Sequence, residues 1–231
     1  MKKENRTSFC VSICVLIGFL LWTVAIRLID VQAIGPCGSL VGFATINRFI
    51  HTLTGVHISL YTITDWFGLV PLGFVLGFGI HGLIQWIRRR KLSRVDYSIL
   101  VLGGFYIVVM VAYIFFEVFV INYRPILIDG HLEASYPSST TVLVLCVMPT
   151  AIMQFNSLIK NYCLKRIASC IIIVFTIFTV VSRLISGVHW ATDIIGGALL
   201  SAGLVLMYRA IIEKKNKNIK ASVCENNKQD V

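Results

Sequence analysis

Ser182, Arg183, His189 and Asp193 fall within the twelve residues SRLISGVHWATD (182–193), between two strongly apolar segments. An imidazole and a carboxylate four positions apart share one helix face. A carboxylate bonded to one imidazole nitrogen fixes the tautomer and leaves the other nitrogen free to attack or to bind. An arginine brings forked, permanently charged donors suited to phosphate oxygens. A second arginine, Arg124, stands in NYRP (122–125). In YPSSTT (136–141), Pro137 suits the first turn of a helix, with Ser138 and Ser139 following. A helix start offers free N–H groups and the positive end of its dipole to an anion. Two arginines, a helix start and an oriented histidine describe a phosphate pocket with a nucleophile in it. Singly, Arg183 reads as an interfacial anchor and Pro137-Ser138 as an ordinary helix start. The spacing to His189 and Asp193 is what points to chemistry.

These three stretches need elements that bring them together. The 231-residue chain is 57% hydrophobic with a mean hydropathy of +0.82, and only 14% of it is charged. Such values describe an integral membrane protein in one compact bundle. Crossing the hydrocarbon takes about 20 apolar residues in a helix. Six segments qualify, near 8–28, 67–87, 97–121, 141–159, 167–183 and 190–209. The first is longer than a signal-peptide core and has no small-residue cleavage site after it, so it reads as a retained span.

Basic residues set the orientation. Lys2, Lys3 and Arg6 precede the first span, and Arg88, Arg89, Arg90, Lys91 and Arg94 link the second to the third. Lys160, Lys165 and Arg166 link the fourth to the fifth, and Arg209 onward closes the chain with six more. Six spans with both termini cytoplasmic place all of these on one side, as the positive-inside rule asks. Only Arg27, Arg48, Arg124 and Arg183 remain for the outside. The fold class expected is therefore all-α, a six-transmembrane-helix bundle over 1–212. NYRP, YPSSTT and SRLISGVHWATD then share the outer face. The outer segment 29–66 contains LVGFATINRFIHTLTG (40–55), whose apolar spacing suits an interfacial helix. The polar, Lys/Asn-rich tail 213–231 reads as disordered.

Seven cysteines are scattered at 10, 14, 37, 146, 163, 170 and 224, with no CxxC pair or zinc spacing. No structural disulfide, metal or other cofactor is expected. No cluster of basic and aromatic residues suggests nucleic acid.

The third stretch resembles a motif of the type-2 phosphatidic acid phosphatase superfamily, membrane lipid phosphatases whose three motifs read K-x6-R-P, P-S-G-H and S-R-x5-H-x3-D. Ser182, Arg183, His189 and Asp193 complete the third. The order of the motifs and the six spans are also similar. The resemblance implies a metal-free reaction in which His189 attacks phosphorus to form a phosphohistidine and Asp193 orients it. It implies that Arg124, Arg183 and the Ser138–Ser139 region hold the phosphoryl oxygens. The implied substrate is a lipid phosphate or prenyl diphosphate, such as undecaprenyl diphosphate, taken from the bilayer at the extracytoplasmic face of a cell membrane.

Two positions depart from the pattern. Glu117 stands at the lysine of the first motif, and Ser139-Thr140 replaces Gly-His in the second. In the family that histidine protonates the leaving group, which a threonine cannot do. Glu117, His131 or Glu133 can supply the proton instead, or a diphosphate substrate can leave without one. Glu117 also reads as an ion-pair partner of Arg124 or of another span, ahead of its reading as a proton donor. A lipid-phosphate binding or transport protein of the same fold, without turnover, is the rival reading. A channel using these charges as a pathway is a third.

Overall fold

The computed structural model describes residues 2–229, with side chains at 7–217 and 219. Its helices are α1 (Lys2–Leu28), α2 (Ala44–Thr54), α3 (Ile58–Phe67), α4 (Leu69–Arg89), α5 (Tyr97–Val118), α6 (Ser139–Leu158), α7 (Tyr162–Ile185) and α8 (Ala191–Gln229). Strands β1 (Gln32–Ala33) and β2 (Leu40–Val41) form a short antiparallel hairpin after α1. Among the described residues, six helical segments are long and apolar enough to cross a membrane, and they correspond in order to the six expected.

Their boundaries differ in informative ways. The second segment runs from Ile58 to Arg89, through α3 and α4 with only Gly68 between them. Asp65, which precedes the segment expected from 67, lies inside α3. The third segment ends at Val118, so Arg124 is not on a continuation of its helix. α6 begins at Ser139 with Ser138 as its N-cap, which puts Pro137 just before the helix rather than in its first turn. The backbone of α8 continues past 212 into the segment read as disordered. Lys, Glu and Asn tolerate helix once a span has nucleated it, and an Arg209–Glu213 pair one turn apart supports the continuation. Residues 230 and 231 of that tail lie outside the described residues.

α6 is the central helix. Its Val144, Cys146, Val147, Met148 and Ala151 are buried, and it packs against α7 and α8 as well as α4 and α5. The modest side chains of α6 suit a helix packed on every side, since membrane helices associate through close van der Waals fit. α1 lies along α8, and an aromatic cluster joins them to the polar end of the bundle. There Tyr136 stacks on Phe19, meets Phe116 edge-on, and bonds Thr23 Oγ1 through its hydroxyl at 2.7 Å. Leucines and isoleucines of α1, α5 and α7 face outward. Lipid tails are as apolar as these residues, so exposing them to a bilayer costs nothing. His51, His57 and His81 find hydrogen-bond partners away from the cavity. They bond the Gly187 carbonyl, the Thr54 carbonyl and the Gln85 amide respectively.

Two connections matter for the site. The α7–α8 link is short and turns at Gly187, whose φ of +66° favours glycine. A Cβ there would also overlap the Gly55 carbonyl, so α2's end and this link are in contact. Asn47 of α2 braces the link from above, bonding Thr192 Oγ1 at 2.9 Å and the Thr192 N–H at 3.3 Å. The α5–α6 connection folds back on itself as a hairpin. Arg124 N donates to the Glu133 carbonyl and Ser135 N to the Asn122 carbonyl, around a turn at Asp129-Gly130 where both residues have positive φ.

Candidate active site

The hairpin decides which side chains face the site. Tyr123 opposes Ala134 in its ladder. Side chains alternate along an extended strand and match across a pair. Asn122 and Arg124 on one limb therefore share a face with Ser135 and Glu133 on the other. That face meets the α7–α8 link and the first turn of α8.

Asp193 sits three residues beyond Trp190 and its carboxylate reaches back to the Trp190 N–H at 2.9 Å, half of a capping box. The hairpin supplies two further donors, Ser135 Oγ at 2.5 Å and Asn122 Nδ2 at 3.3 Å. A direct His189–Asp193 bond was expected from the i,i+4 spacing. Instead His189 Nδ1 and Asp193 Oδ2 are 4.0 Å apart, and Ser135 Oγ stands between them, 3.0 Å from Nδ1. The spacing puts both residues on one side of the α8 start. It does not bring them into contact, because His189 precedes the helix and its ring leans toward the hairpin.

Arg183 Nη2 lies 3.4 Å from His189 Nε2. Arg183 and Arg124 both lean on Tyr61 of α3, with guanidinium carbons 4.8 and 5.5 Å from its ring centroid. The same helix adds Thr64 and Asp65, 3.4 and 3.6 Å from Arg183 Nη1. Glu133 Oε2 lies 3.1 Å from Arg124 Nε. Arg183 is 1% exposed, His189 3% and Arg124 9%, so all three are withdrawn from bulk water. Nη1 of Arg124 and Nε of Arg183 are buried without a hydrogen-bond partner among the described residues, and Nε of Arg124 meets Glu133 as an ion pair without hydrogen-bond alignment. Orphaned buried donors on a cation are costly unless an anion meets them. Burial above all, then the charges of Arg124 and Arg183, hold the His189 imidazole well below its ordinary range. The ring is neutral at neutral pH, as a nucleophile must be.

Arg124, Glu133, Ser135, Ser139, Thr140 and His189, with Asp65 and Glu117, line one end of a cavity of about 790 Å³, and Arg183 and Asp193 stand behind that lining against His189 and Ser135. Its other end is apolar, between Leu72 and Val75 of α4, Tyr106 and Met110 of α5, and Leu143 and Val147 of α6. The structure thus brings together Arg124, Arg183, His189, Asp193 and Ser139. Ser138 is turned away from the cavity and accepts from Thr141 Oγ1 at 3.0 Å. His131 is exposed at the hairpin turn and does not line the cavity.

Ser135, Asn122, Tyr61, Thr64 and Asp65 were not anticipated. Asp-Gly between short runs is a hairpin signal, and reading N-x-R and E-x-S around Asp129-Gly130 with period two would have found the first pair. Tyr61, Thr64 and Asp65 sit at i, i+3 and i+4, and an acid inside an apolar segment is itself a functional flag.

Six spans and a buried, basic, histidine-bearing site at one end of the bundle define a multi-pass membrane protein with a phosphatase-type fold. The chain belongs to the PAP2 superfamily, which it matches over residues 98–217. It is similar in structure to a transmembrane PAP2-type phosphatidylglycerolphosphate phosphatase from Bacillus subtilis, with a TM-score of 0.58 and 20% identity over 88% of this chain and 96% of that one. A search of curated proteins finds no match. α3 and the three residues by which it touches the arginines lie before the stretch that the family match covers.

Proposed function

We propose that the protein hydrolyses a lipid phosphate or prenyl diphosphate at the extracytoplasmic face through a phosphohistidine. One observation carries this reading. A neutral imidazole presents Nε2 beside two arginines with unpartnered N–H groups, at the polar end of a cavity whose other end is apolar. Phosphoryl oxygens satisfy those donors, and the lipid's hydrocarbon follows the apolar wall between α4, α5 and α6.

In the first step His189 Nε2 attacks phosphorus. The P–N bond forms as the P–O bond to the lipid breaks, and the electron pair leaves with the lipid oxygen. Arg124 and Arg183 offset the charge on the equatorial oxygens. Water then attacks the phosphohistidine, the P–N electrons return to Nε2, and inorganic phosphate departs.

Thr140, which lines the cavity, stands where the family has its proton donor. A general acid contributes about 10²–10⁴ in rate. A diphosphate expels a phosphate monoester, already stable as an anion, so prenyl diphosphates suit this site best. Glu117 and Glu133 line the cavity and are the proton donors available for alkyl monoesters. Thr140 equally favours the rival reading, a lipid-phosphate binding protein without turnover.

Phosphate release from purified protein in detergent separates the two, with phosphatidic acid, phosphatidylglycerol phosphate and a prenyl diphosphate as substrates. Release that His189→Ala abolishes is expected. Lipid binding with no release from any substrate would leave only the binding protein, and an active His189→Ala variant would exclude the phosphohistidine.

A further inference from the structure

Ser135 stands between His189 and Asp193. Its Oγ is 2.5 Å from Asp193 Oδ2 and 3.0 Å from His189 Nδ1, whereas ring and carboxylate are 4.0 Å apart. A hydroxyl has one hydrogen and two lone pairs. The shorter contact is in the range of an O–H···O⁻ bond, so the hydrogen points to the carboxylate. Oγ must then accept from Nδ1–H. At the other side of the ring, Arg183 Nη2 is 3.4 Å from Nε2, and a guanidinium has donors only. Nε2 must therefore carry the lone pair. Two independent contacts select one tautomer, the one in which Nε2 is the nucleophile.

The serine is itself held. Its backbone N–H bonds the Asn122 carbonyl, and the Asn122 amide reaches the same Asp193 carboxylate. Ser135 belongs to neither the arginine-bearing nor the histidine-bearing motif.

We infer that Ser135 is a positioning residue: it, rather than Asp193 directly, holds His189 with Nδ1 protonated and Nε2 toward phosphorus. This rests on the phosphohistidine reading. When the P–N bond forms at Nε2 and the leaving-group P–O bond breaks, Nδ1 keeps its proton and the ring becomes a cation. The Asp193 carboxylate meets that charge through the Ser135 hydroxyl, and no proton has to move.

The test compares wild type, Ser135→Ala, Ser135→Thr and His189→Ala in detergent. It reads kcat and KM on a prenyl diphosphate and the ¹⁵N spectrum of histidine-labelled protein. Ser135→Ala is expected to lower kcat about 10- to 100-fold, the scale of a misaligned reacting group. KM should stay within about threefold because the arginines are untouched. Ser135→Thr returns the hydroxyl and recovers most of the loss. Wild-type His189 should read as the Nδ1–H form, and Ser135→Ala as a tautomer mixture. A Ser135→Ala kcat within about twofold of wild type, or a wild-type ring in the Nε2–H form, overturns the assignment. The wild-type spectrum decides even where Ser135→Ala fails to fold. An active His189→Ala variant overturns the nucleophile reading instead, a separate outcome that leaves the tautomer measurement intact.

Discussion

Glu133 Oε2 lies 3.1 Å from Arg124 Nε, directly across the hairpin that carries both. A carboxylate occupies the very cation that a phosphate needs. The Glu133 side chain is 41% exposed, so water and salt screen the pair, and such pairs contribute about 0–1 kcal/mol. Glu133→Gln should therefore tighten product inhibition by inorganic phosphate by up to about fivefold. A measured inhibition constant that weakens would show that Glu133 orients Arg124 rather than competing with the phosphate. Where Glu133 also protonates the leaving group, the same variant slows alkyl monoesters and spares diphosphates.

Arg183 is held by its fork, by Tyr61 and by α3, and lysine reproduces only its charge. Arg183→Lys is expected to lower kcat/KM about 10²–10³-fold, comparable to losing a transition-state donor. Burying two guanidiniums side by side is a cost to the fold that function imposes. Arg183→Met should accordingly keep or raise the unfolding temperature in detergent while abolishing turnover. A large drop in that temperature would make Arg183 a structural residue.

The histidine gives a signed pH dependence. Its folded-state pKa lies well below the ordinary 6.5, and the nucleophile is the neutral ring. The acidic limb of kcat/KM should therefore fall below pH 6.5, with no His189 step above it. For stability, the unfolded chain binds a proton at His189 as the pH drops through 6.5, while the folded site stays neutral. The folded state loses stability across that window, and His189→Ala should remove this part of the loss in pH-dependent unfolding curves. A kcat/KM limb above pH 7 would contradict the burial argument.

Gly187→Ala places a Cβ at φ +66° and against the Gly55 carbonyl. The left-handed conformation alone costs about 1–2 kcal/mol. The link that aims His189 should shift, lowering both the unfolding temperature and kcat. Wild-type behaviour in both measurements would show that the link relaxes without consequence.

Topology has its own test. Cys37 and Cys163 are both exposed, in the α1–α2 connection and at the start of α7. With both termini cytoplasmic, a membrane-impermeant maleimide on intact cells should label Cys37 and leave Cys163 protected. The reverse pattern would put the site on the cytoplasmic side.

Much of this architecture was legible in the chain. Six spans follow from hydropathy, because the bilayer demands long apolar helices irrespective of their neighbours. Arg183, His189 and Asp193 follow from spacing within one short link. The meeting of NYRP, YPSSTT and SRLISGVHWATD follows from counting spans, since alternate span ends share a face. Hydropathy could not separate α3 from α4 or stop α5 at Val118, since apolar residues run through both places.

Tertiary structure alone decided how the groups touch. His189 and Asp193 have the spacing of a bonded pair, yet a serine 54 residues from the histidine stands between them. Arg183 is met by Thr64, 119 residues away, and by Asp65 beside it. Periodicity assigns a residue to a face of its own element. It carries no record of which polar side chain on another element will face it. That depends on how the helices dock and on the fold of the α5–α6 hairpin. In a buried site every donor and acceptor must find a partner, so that docking determines the chemistry.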